Sequence, residues 1–181
     1  TKHGLEAMIR PVPPSTGHVC LHLGFRATAK ELGLSGTNLW IFPDCEHERN
    51  IRAYSADPTK ELPLVFVSFP SAKDPTFEAR YPGRATVEVV ACVPYDSFGP
   101  WEGGRWRNRG ASYEEVKEAL GERLLESLFR QVPALRGRVD YMEMSTPLTT
   151  RHFAAHPSGE IYGMDHTPER FRLPVRAASP V

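Results

Sequence analysis

The sequence lacks several features that would assign a function directly. No stretch approaches the ~18 consecutive apolar residues of a membrane-spanning helix. It has no Gly-x-Gly-x-x-Gly loop for a dinucleotide, no phosphate-binding P-loop and no Gly-x-Ser-x-Gly nucleophile elbow. Net charge is also absent, because 22 basic residues balance 22 acidic ones. That balance removes the broad electrostatic attraction on which nonspecific nucleic-acid binding depends, so we expect no nucleic-acid partner.

Cysteine is scarce as well. Cys20, Cys45 and Cys92 are the three cysteines, an odd number with no Cys-x-x-Cys pair. Such a set cannot form a complete disulfide framework, and we therefore predict a reducing, cytoplasmic location. Two Cys-x-His pairs, Cys20/His22 and Cys45/His47, offer four zinc-ligand types. Their spacing is narrower than the Cys-x₂₋₄-Cys of structural zinc sites, so we predict no metal.

The residues that are present suit one globular domain. The chain has 181 residues, of which 40% are hydrophobic, enough to bury a core without disulfides or metal. Its 17 prolines and 14 glycines are spread along the sequence and indicate many turns. The first residue is Thr1, and the last residues, 173–181, form an extended Pro-containing run. We expect both ends to be boundaries within a larger protein, with 1–17 as a connector and 145–181 as a return segment.

Alternating and continuous apolar runs predict a sheet. Residues 18–25 place Val19 and Leu21 on one face with Cys20 and His22 on the other, as in a half-buried strand. The other predicted strands span residues 38–42, 64–69, 84–93 and 139–144. Short connections between the first four favour antiparallel pairing. Residues 71–83 are predicted to be a turn-rich loop, and the segment after residue 145 is predicted to be irregular.

One long helix is predicted after residue 111. Ser112 and Glu115 have the spacing of a capping box, which would make Ser112 the N-cap. Apolar residues then recur every four positions, and Pro133 ends the pattern. The predicted fold is therefore α+β, with an antiparallel sheet of about five strands backed by one long helix and joined by long irregular loops.

Two segments carry candidate chemistry. The loop at residues 98–109 mixes three aromatic residues with three arginines, which suits a membrane surface or a single-stranded nucleic-acid platform. We favour the simpler interpretation that Trp101 and Trp106 close the sheet edge, with the arginines paired to helix acids. Residues 145–164 combine hydroxyls, proline and glycine, which suits either a ligand-approaching loop or an ordinary return segment.

A resemblance to a known family joins these pieces. Ser145-Thr-Pro-Leu-Thr-x-x-x-Phe153, followed by Gly159-x-x-Tyr-Gly163, resembles the late segment of the phytoene desaturase, carotenoid isomerase and retinol saturase-like flavoproteins. The matching order continues over nearly the whole chain, in Val67-Ser-Phe-Pro-Ser-Ala-Lys-Asp-Pro75, Val93-Pro-Tyr-Asp-Ser-Phe98 and Tyr113-x-x-x-Lys117.

The resemblance implies the substrate-binding part of an FAD-dependent oxidoreductase that acts on an apolar isoprenoid or polyene by saturation, desaturation or isomerisation. It implies that FAD binds to the missing flavin domain and not to this chain alone, which would then be inactive. It places nearest to the flavin and substrate Thr146, Pro147, Thr149, Tyr162 and Gly163. Phe66 and Val89 are expected on one sheet face along an apolar tunnel. No catalytic side chain is implied.

A second hypothesis comes from a different class of protein. The chain would then be a noncatalytic module that binds an apolar ligand or a partner protein. In either case a domain without its neighbour exposes apolar surface, so we expect self-association. Contact with a membrane surface at the aromatic loop is the remaining partner hypothesis.

Overall fold

The computed structural model describes residue 7 and residues 9–173. Five strands form one sheet in the order β2-β3-β4-β1-β5, and every neighbouring pair is antiparallel. The strands are β1 (Gly17–Phe25), β2 (Leu39–Ile41), β3 (Val65–Ser68), β4 (Ala85–Val93) and β5 (Val139–Ser145). The predicted α+β class with a five-stranded antiparallel sheet is confirmed.

Helices follow or connect the strands. They are α1 (His47–Ala56), α2 (Pro70–Lys73), α3 (Phe77–Arg80), α4 (Ala111–Gln131), α5 (Pro147–Ala154) and α6 (Pro168–Arg172), with 3₁₀ turns at Tyr95–Trp101 and Pro133–Leu135. Within the described residues, none of these helices has the length and apolarity that crossing a bilayer requires.

The core lies between α4 and one face of the sheet. Leu120, Leu124 and Leu128 of α4 are buried, as the i+4 spacing predicts, and they join the same apolar cluster as Val19 and Leu21 of β1. Burial of each such side chain stabilises the fold by about 1.5–3 kcal/mol. Because α4 covers this face, the side chains at alternate positions of the strands point to the opposite one.

The start of α4 differs from the prediction. The N-cap is Gly110, whose φ of 90° is a conformation that side chains disfavour, and the helix begins at Ala111. Ser112 therefore lies inside the first turn, where its hydroxyl accepts a hydrogen bond from the indole N–H of Trp101 at 3.0 Å. The prediction that Ser112 caps the helix is wrong.

Two segments predicted to be irregular contain helices. The 71–83 loop includes most of α2 and all of α3, each only four residues long, which is too short for apolar periodicity to reveal. The segment after residue 145 contains α5, which has proline in its first turn, where a missing N–H costs nothing. Thr146 and Thr149 form its capping box, and Ala155, in the left-handed conformation at φ 55°, ends it.

Two distant segments run side by side next to β1. Residues 13–17 and 159–165, called here the paired segments, form antiparallel bridges between Pro14 and Met164 and between Gly17 and Glu160. The described part of the predicted connector therefore lies along the described part of the predicted return segment. The outer ends of both, residues 1–6, 8 and 174–181, lie outside the described residues.

Candidate functional site

The face of the sheet opposite α4 is the first candidate surface, and we call it the open face. Cross-strand pairing places on it Trp40, Phe66, Ser68, Thr86, Glu88, Val90, Cys92, His18, Cys20, His22, Gly24, Tyr141, Glu143 and Ser145. Trp40 is 60% exposed and packs against Phe66 with the ring centroids 4.8 Å apart. One end of this face therefore presents aromatic surface, while its centre is polar.

The polar centre is organised around His22. Its Nδ1 lies 3.6 Å from Glu88 Oε1 and 3.7 Å from Cys20 Sγ, and its Nε2 lies 3.3 Å from Ser145 Oγ. Glu143 is the cross-strand neighbour of His22 on β5. Burial, with the Glu88 carboxylate as a second cause, raises the pKa of the Cys20 thiol to about 12. A thiol held protonated in this way is not a nucleophile near neutral pH.

These residues give no support to a zinc site. Cys20 and His22 lie on β1, whereas His47 begins α1 and Cys45 is exposed just before it. Throughout residues 9–173, no three His, Cys, Asp or Glu side chains are grouped so as to hold a metal ion.

A cavity of about 610 Å³ opens beside His22 at the β5 edge of the sheet, and we call it the edge cavity. It is lined by His22, Trp106, Arg107, Arg109, Tyr113, Glu114, Lys117, Glu143, Met144, Ser145, Thr149 and Phe153. These residues come from β1, the loop before α4, the first turns of α4, β5 and α5. The volume is in the range that holds a small organic ligand.

Aromatic rings and cations alternate along the wall of the edge cavity. The guanidinium carbon of Arg107 lies 4.5 Å from the centroid of the Trp106 ring, and that of Arg109 lies 5.2 Å from the Tyr113 ring. Lys117 Nζ lies 5.5 Å from the same Tyr113 ring. Such contacts leave the polar edge of a guanidinium free to bind an anion.

The prediction that the arginines of this loop pair with acidic residues of α4 is wrong. Across the described part of the chain, Arg105, Arg107 and Arg109 form no ion pair with α4. The packing hypothesis is right for Trp101, whose ring lies 5.7 Å from that of Tyr113 and 6.4 Å from that of Phe98. Trp106 is instead half-exposed.

Three of the predicted site residues meet where β5 leads into α5. Thr146 is fully buried, and its Oγ1 lies 2.7 Å from Tyr113 Oη. Its backbone N–H donates to Thr149 Oγ1 at 3.1 Å. Pro147 is also buried and lies against Gly17, since a Cβ at Gly17 would be 3.0 Å from its Cγ. Of the three, only Thr149 lines the edge cavity.

The other two predicted residues lie apart from this group, in the paired segments. Gly163 accepts a hydrogen bond from the Ser15 N–H at 2.7 Å, and the Tyr162 N–H donates to Ser15 Oγ at 3.1 Å. Gly163 has φ 70°, and the Tyr162 side chain is 64% exposed. The structure thus separates the five residues into two groups, and their closeness to a flavin stays a prediction.

The expectation that Phe66 and Val89 lie on one face of the sheet is wrong. Phe66 is opposite Val90, whereas Val89 is opposite Val67, so Phe66 and Val89 point to opposite faces of the sheet. Val89 is fully buried in the core against α4. Only Phe66 lies on the open face, and Val89 cannot line a tunnel there.

The edge cavity includes residues to which sequence reasoning gave no role. Tyr113 and Lys117 are four apart, so one helix face presents both, and that spacing was the available signal. No local pattern joins them to His22 or Glu143, which approach the cavity only through the pairing of β1 with β5.

Comparison with known proteins shows that the chain is similar to part of longer proteins. No family model matches it. It is 34% identical to all-trans-retinol 13,14-reductase of Danio rerio over 89% of this chain, and 32% identical to that of Homo sapiens over 98%. A second Danio rerio relative, 27% identical over 98% of the chain, is named an inactive all-trans-retinol 13,14-reductase. The chain spans about 30% of the length of these relatives.

Proposed function

We propose that this chain, whose resemblance to the retinol saturase-like family is confirmed over nearly its whole length, is the substrate-binding part of an FAD-dependent oxidoreductase. The observation that carries the proposal is its 34% identity to a protein named for reducing all-trans-retinol. The substrate would be an apolar isoprenoid or polyene, changed by saturation, desaturation or isomerisation. The relatives' names favour saturation.

The residues of this chain suit binding more than cofactor chemistry. The closest glycine pairs, Gly33/Gly36 and Gly103/Gly104, do not form the loop that holds a dinucleotide pyrophosphate. The described residues therefore do not fit FAD by themselves, and the cofactor would be held by other parts of a longer protein. A flavin supplies hydride chemistry, while the protein orients the substrate and excludes water.

The paired segments support two crossings between this domain and a flavin domain. They bring residues 13–17 and 159–165 together at one end of β1, as expected where a chain enters and leaves a domain side by side. On this proposal Tyr162 and Gly163 lie at the crossing. Thr146, Pro147 and Thr149 lie at the start of α5, and of these Thr149 lines the edge cavity.

The proposal has three accompanying parts. The apolar patch around Trp40 and Phe66 would meet the flavin domain in the longer protein. In the isolated chain the same patch would support self-association, which light scattering over a range of concentrations measures. We further propose a cytoplasmic protein with peripheral membrane contact through the exposed Trp106 and Phe153.

One experiment tests the central proposal. The chain alone and a version extended to the length of its relatives by its natural flanking sequence are each titrated with FAD, followed by flavin fluorescence. Both are then incubated with all-trans-retinol and a reductant, with products separated by chromatography. We expect FAD binding and a saturated product from the extended protein only. Stoichiometric micromolar binding of FAD by the chain alone would contradict the assignment.

A noncatalytic binding module is the second candidate, and the relative named inactive supports it. In that case the extended protein would bind retinol without converting it. Retinol fluorescence reports binding independently of turnover, so the same preparation distinguishes the two candidates.

A further inference from the structure

We propose that the edge cavity binds the oxyanion end group, a carboxylate or a phosphate, of an apolar chain-like ligand. The inference goes beyond the proposed function, because it concerns binding by this chain alone and involves no redox step. It rests on the balance of paired and unpaired charge along the cavity wall, on the shape of the loop before α4, and on the apolar surface beside them.

The charged side chains of the cavity wall leave one positive charge in excess, because Arg107, Arg109 and Lys117 face two acids. Glu114 Oε2 lies 3.2 Å from Lys117 Nζ, one turn along α4, and Glu143 accepts a hydrogen bond from the neutral Tyr141 hydroxyl at 2.5 Å. Within residues 9–173 neither carboxylate forms an ion pair with Arg107 or Arg109. Because α4 has 21 residues and starts at this cavity, the positive end of its dipole adds to the field there.

The arginines of the cavity, in contrast, have guanidinium N–H groups that are available to a ligand. Arg109 lies against the Tyr113 ring, and its Nε is buried without a hydrogen-bond partner in residues 9–173. The Nε itself is closed off from solvent, so an anion in the cavity would bind to the outer N–H groups of the guanidinium. A guanidinium also suits a carboxylate or phosphate in particular, because its N–H groups match the spacing of two oxygens.

The loop is shaped to present Arg107. This residue has φ 61°, in the left-handed region that an arginine rarely adopts. A bridge between Arg105 and Asn108 holds the turn, and Arg107 lies over the Trp106 ring. Strain kept in a loop that places a cation at a cavity is typical of binding sites.

The rest of the wall indicates an apolar ligand body. Phe153, 65% exposed, meets the edge of the Trp106 ring with the centroids 5.3 Å apart, and Met144 lies deeper. A ligand with an anionic end would place its charge by Arg107 and Arg109 and its chain along Trp106 and Phe153. A small hydrophilic anion would leave the aromatic surface uncovered.

The test measures binding by the 181-residue chain with palmitate, hexadecyl phosphate and hexadecanol, each below its aggregation concentration, by calorimetry. Charge-assisted hydrogen bonds predict that at least one anion binds about 10- to 100-fold more tightly than the alcohol. Whichever anion is preferred identifies the end group. Inorganic phosphate is the control for binding without an apolar body, and we expect it to bind weakly.

Variants of the loop locate the effect. Arg109→Gln and Arg107→Gln should each lower anion affinity about tenfold while leaving the alcohol unchanged. Arg105→Gln is the matched control in the same loop, since Arg105 does not line the edge cavity, and it should leave all affinities unchanged. Thermal unfolding checks each fold, and the exposed position of Arg107 keeps the test valid if Arg109→Gln destabilises the protein.

Several results would overturn the inference. They are equal affinity for the alcohol and both anions, no binding of any of the three, and a preference that survives both Arg107→Gln and Arg109→Gln. Each is distinguishable from failure of the proposed function, which is measured as retinol conversion by the extended protein. A chain that prefers the anions but supports no conversion would retain this site and lose the enzyme assignment.

Discussion

The hydrogen bond between Tyr113 and Thr146 gives a sharp test of how α4 is joined to the start of α5. Tyr113 is 3% exposed, Thr146 is fully buried, and their hydroxyl oxygens are 2.7 Å apart. Tyr113→Phe removes one hydroxyl and leaves the Thr146 hydroxyl with only its capping-box bond from the Thr149 backbone N–H. We expect a loss of about 1–2 kcal/mol in the free energy of unfolding, with a fall of about 2–8 °C in Tm.

The reciprocal change should cost about 1 kcal/mol more, because Thr146 is also the N-cap of α5. Thr146→Val replaces the hydroxyl with a methyl of the same shape, removes the cap and strands the hydroxyl of Tyr113. The double variant removes both polar groups together, so it should be little worse than Thr146→Val alone. The two losses are therefore expected to fall short of additivity by about 1 kcal/mol.

Urea unfolding, followed by far-UV circular dichroism and by tryptophan fluorescence, measures these energies. Tyr162→Phe is the matched control, because the Tyr162 side chain is 64% exposed and the change should stay within about 0.5 kcal/mol. Fully additive losses in the double variant would show that the two hydroxyls do not pair, and would refute the reasoning.

Three further predictions concern single residues. A thiol reagent should modify Cys45 fast and Cys20 and Cys92 slowly, because burial raises the pKa of both of the latter; three equal rates would contradict this. Burial lowers the pKa of His18 in the folded protein below its usual 6.5. As the pH falls below 6.5, the unfolded chain therefore takes up a proton at this residue before the folded protein does, and the free energy of unfolding should decrease. His18→Gln should flatten that dependence in urea titrations at several pH values, and an unchanged slope would count against it. Gly159→Ala should cost more than about 1–2 kcal/mol in thermal unfolding, since φ is 56° and the new Cβ would collide with the backbone of the first residue of α5; an unchanged Tm would exclude this packing.

Much of the fold could be predicted because single patterns determine it. Residues 18–25 and 84–93 alternate, and each proves to be a strand with one face against α4. The i+4 recurrence of Leu120, Leu124 and Leu128 likewise places the buried side of α4. In both cases burial of one face imposes a period that is visible within ten or so residues.

The remaining features depend on contacts that no local pattern encodes. The run from Leu64 to Phe69 is apolar at almost every position, so its sequence assigns no face, and only the pairing with β4 separates Phe66 from Val89. The edge cavity assembles residues 22, 106–117 and 143–153, brought together by the placement of β5 beside β1. Short helices such as α2 and α3 carry too few residues for any period to show.

The segment at residues 145–163, on which the family resemblance chiefly rests, has a largely structural role. Thr146 pairs with Tyr113, Pro147 starts α5 and packs against Gly17, and Gly159 lies so close to Pro147 that only glycine fits. The fold needs these residues where the chain leaves the sheet, whether or not the protein is catalytic. Evidence for chemistry must therefore come from side chains that face open space. Among the predicted residues Thr149, in the edge cavity, and the exposed Tyr162 do so, and the arginines beside Thr149 allow binding to be tested apart from folding.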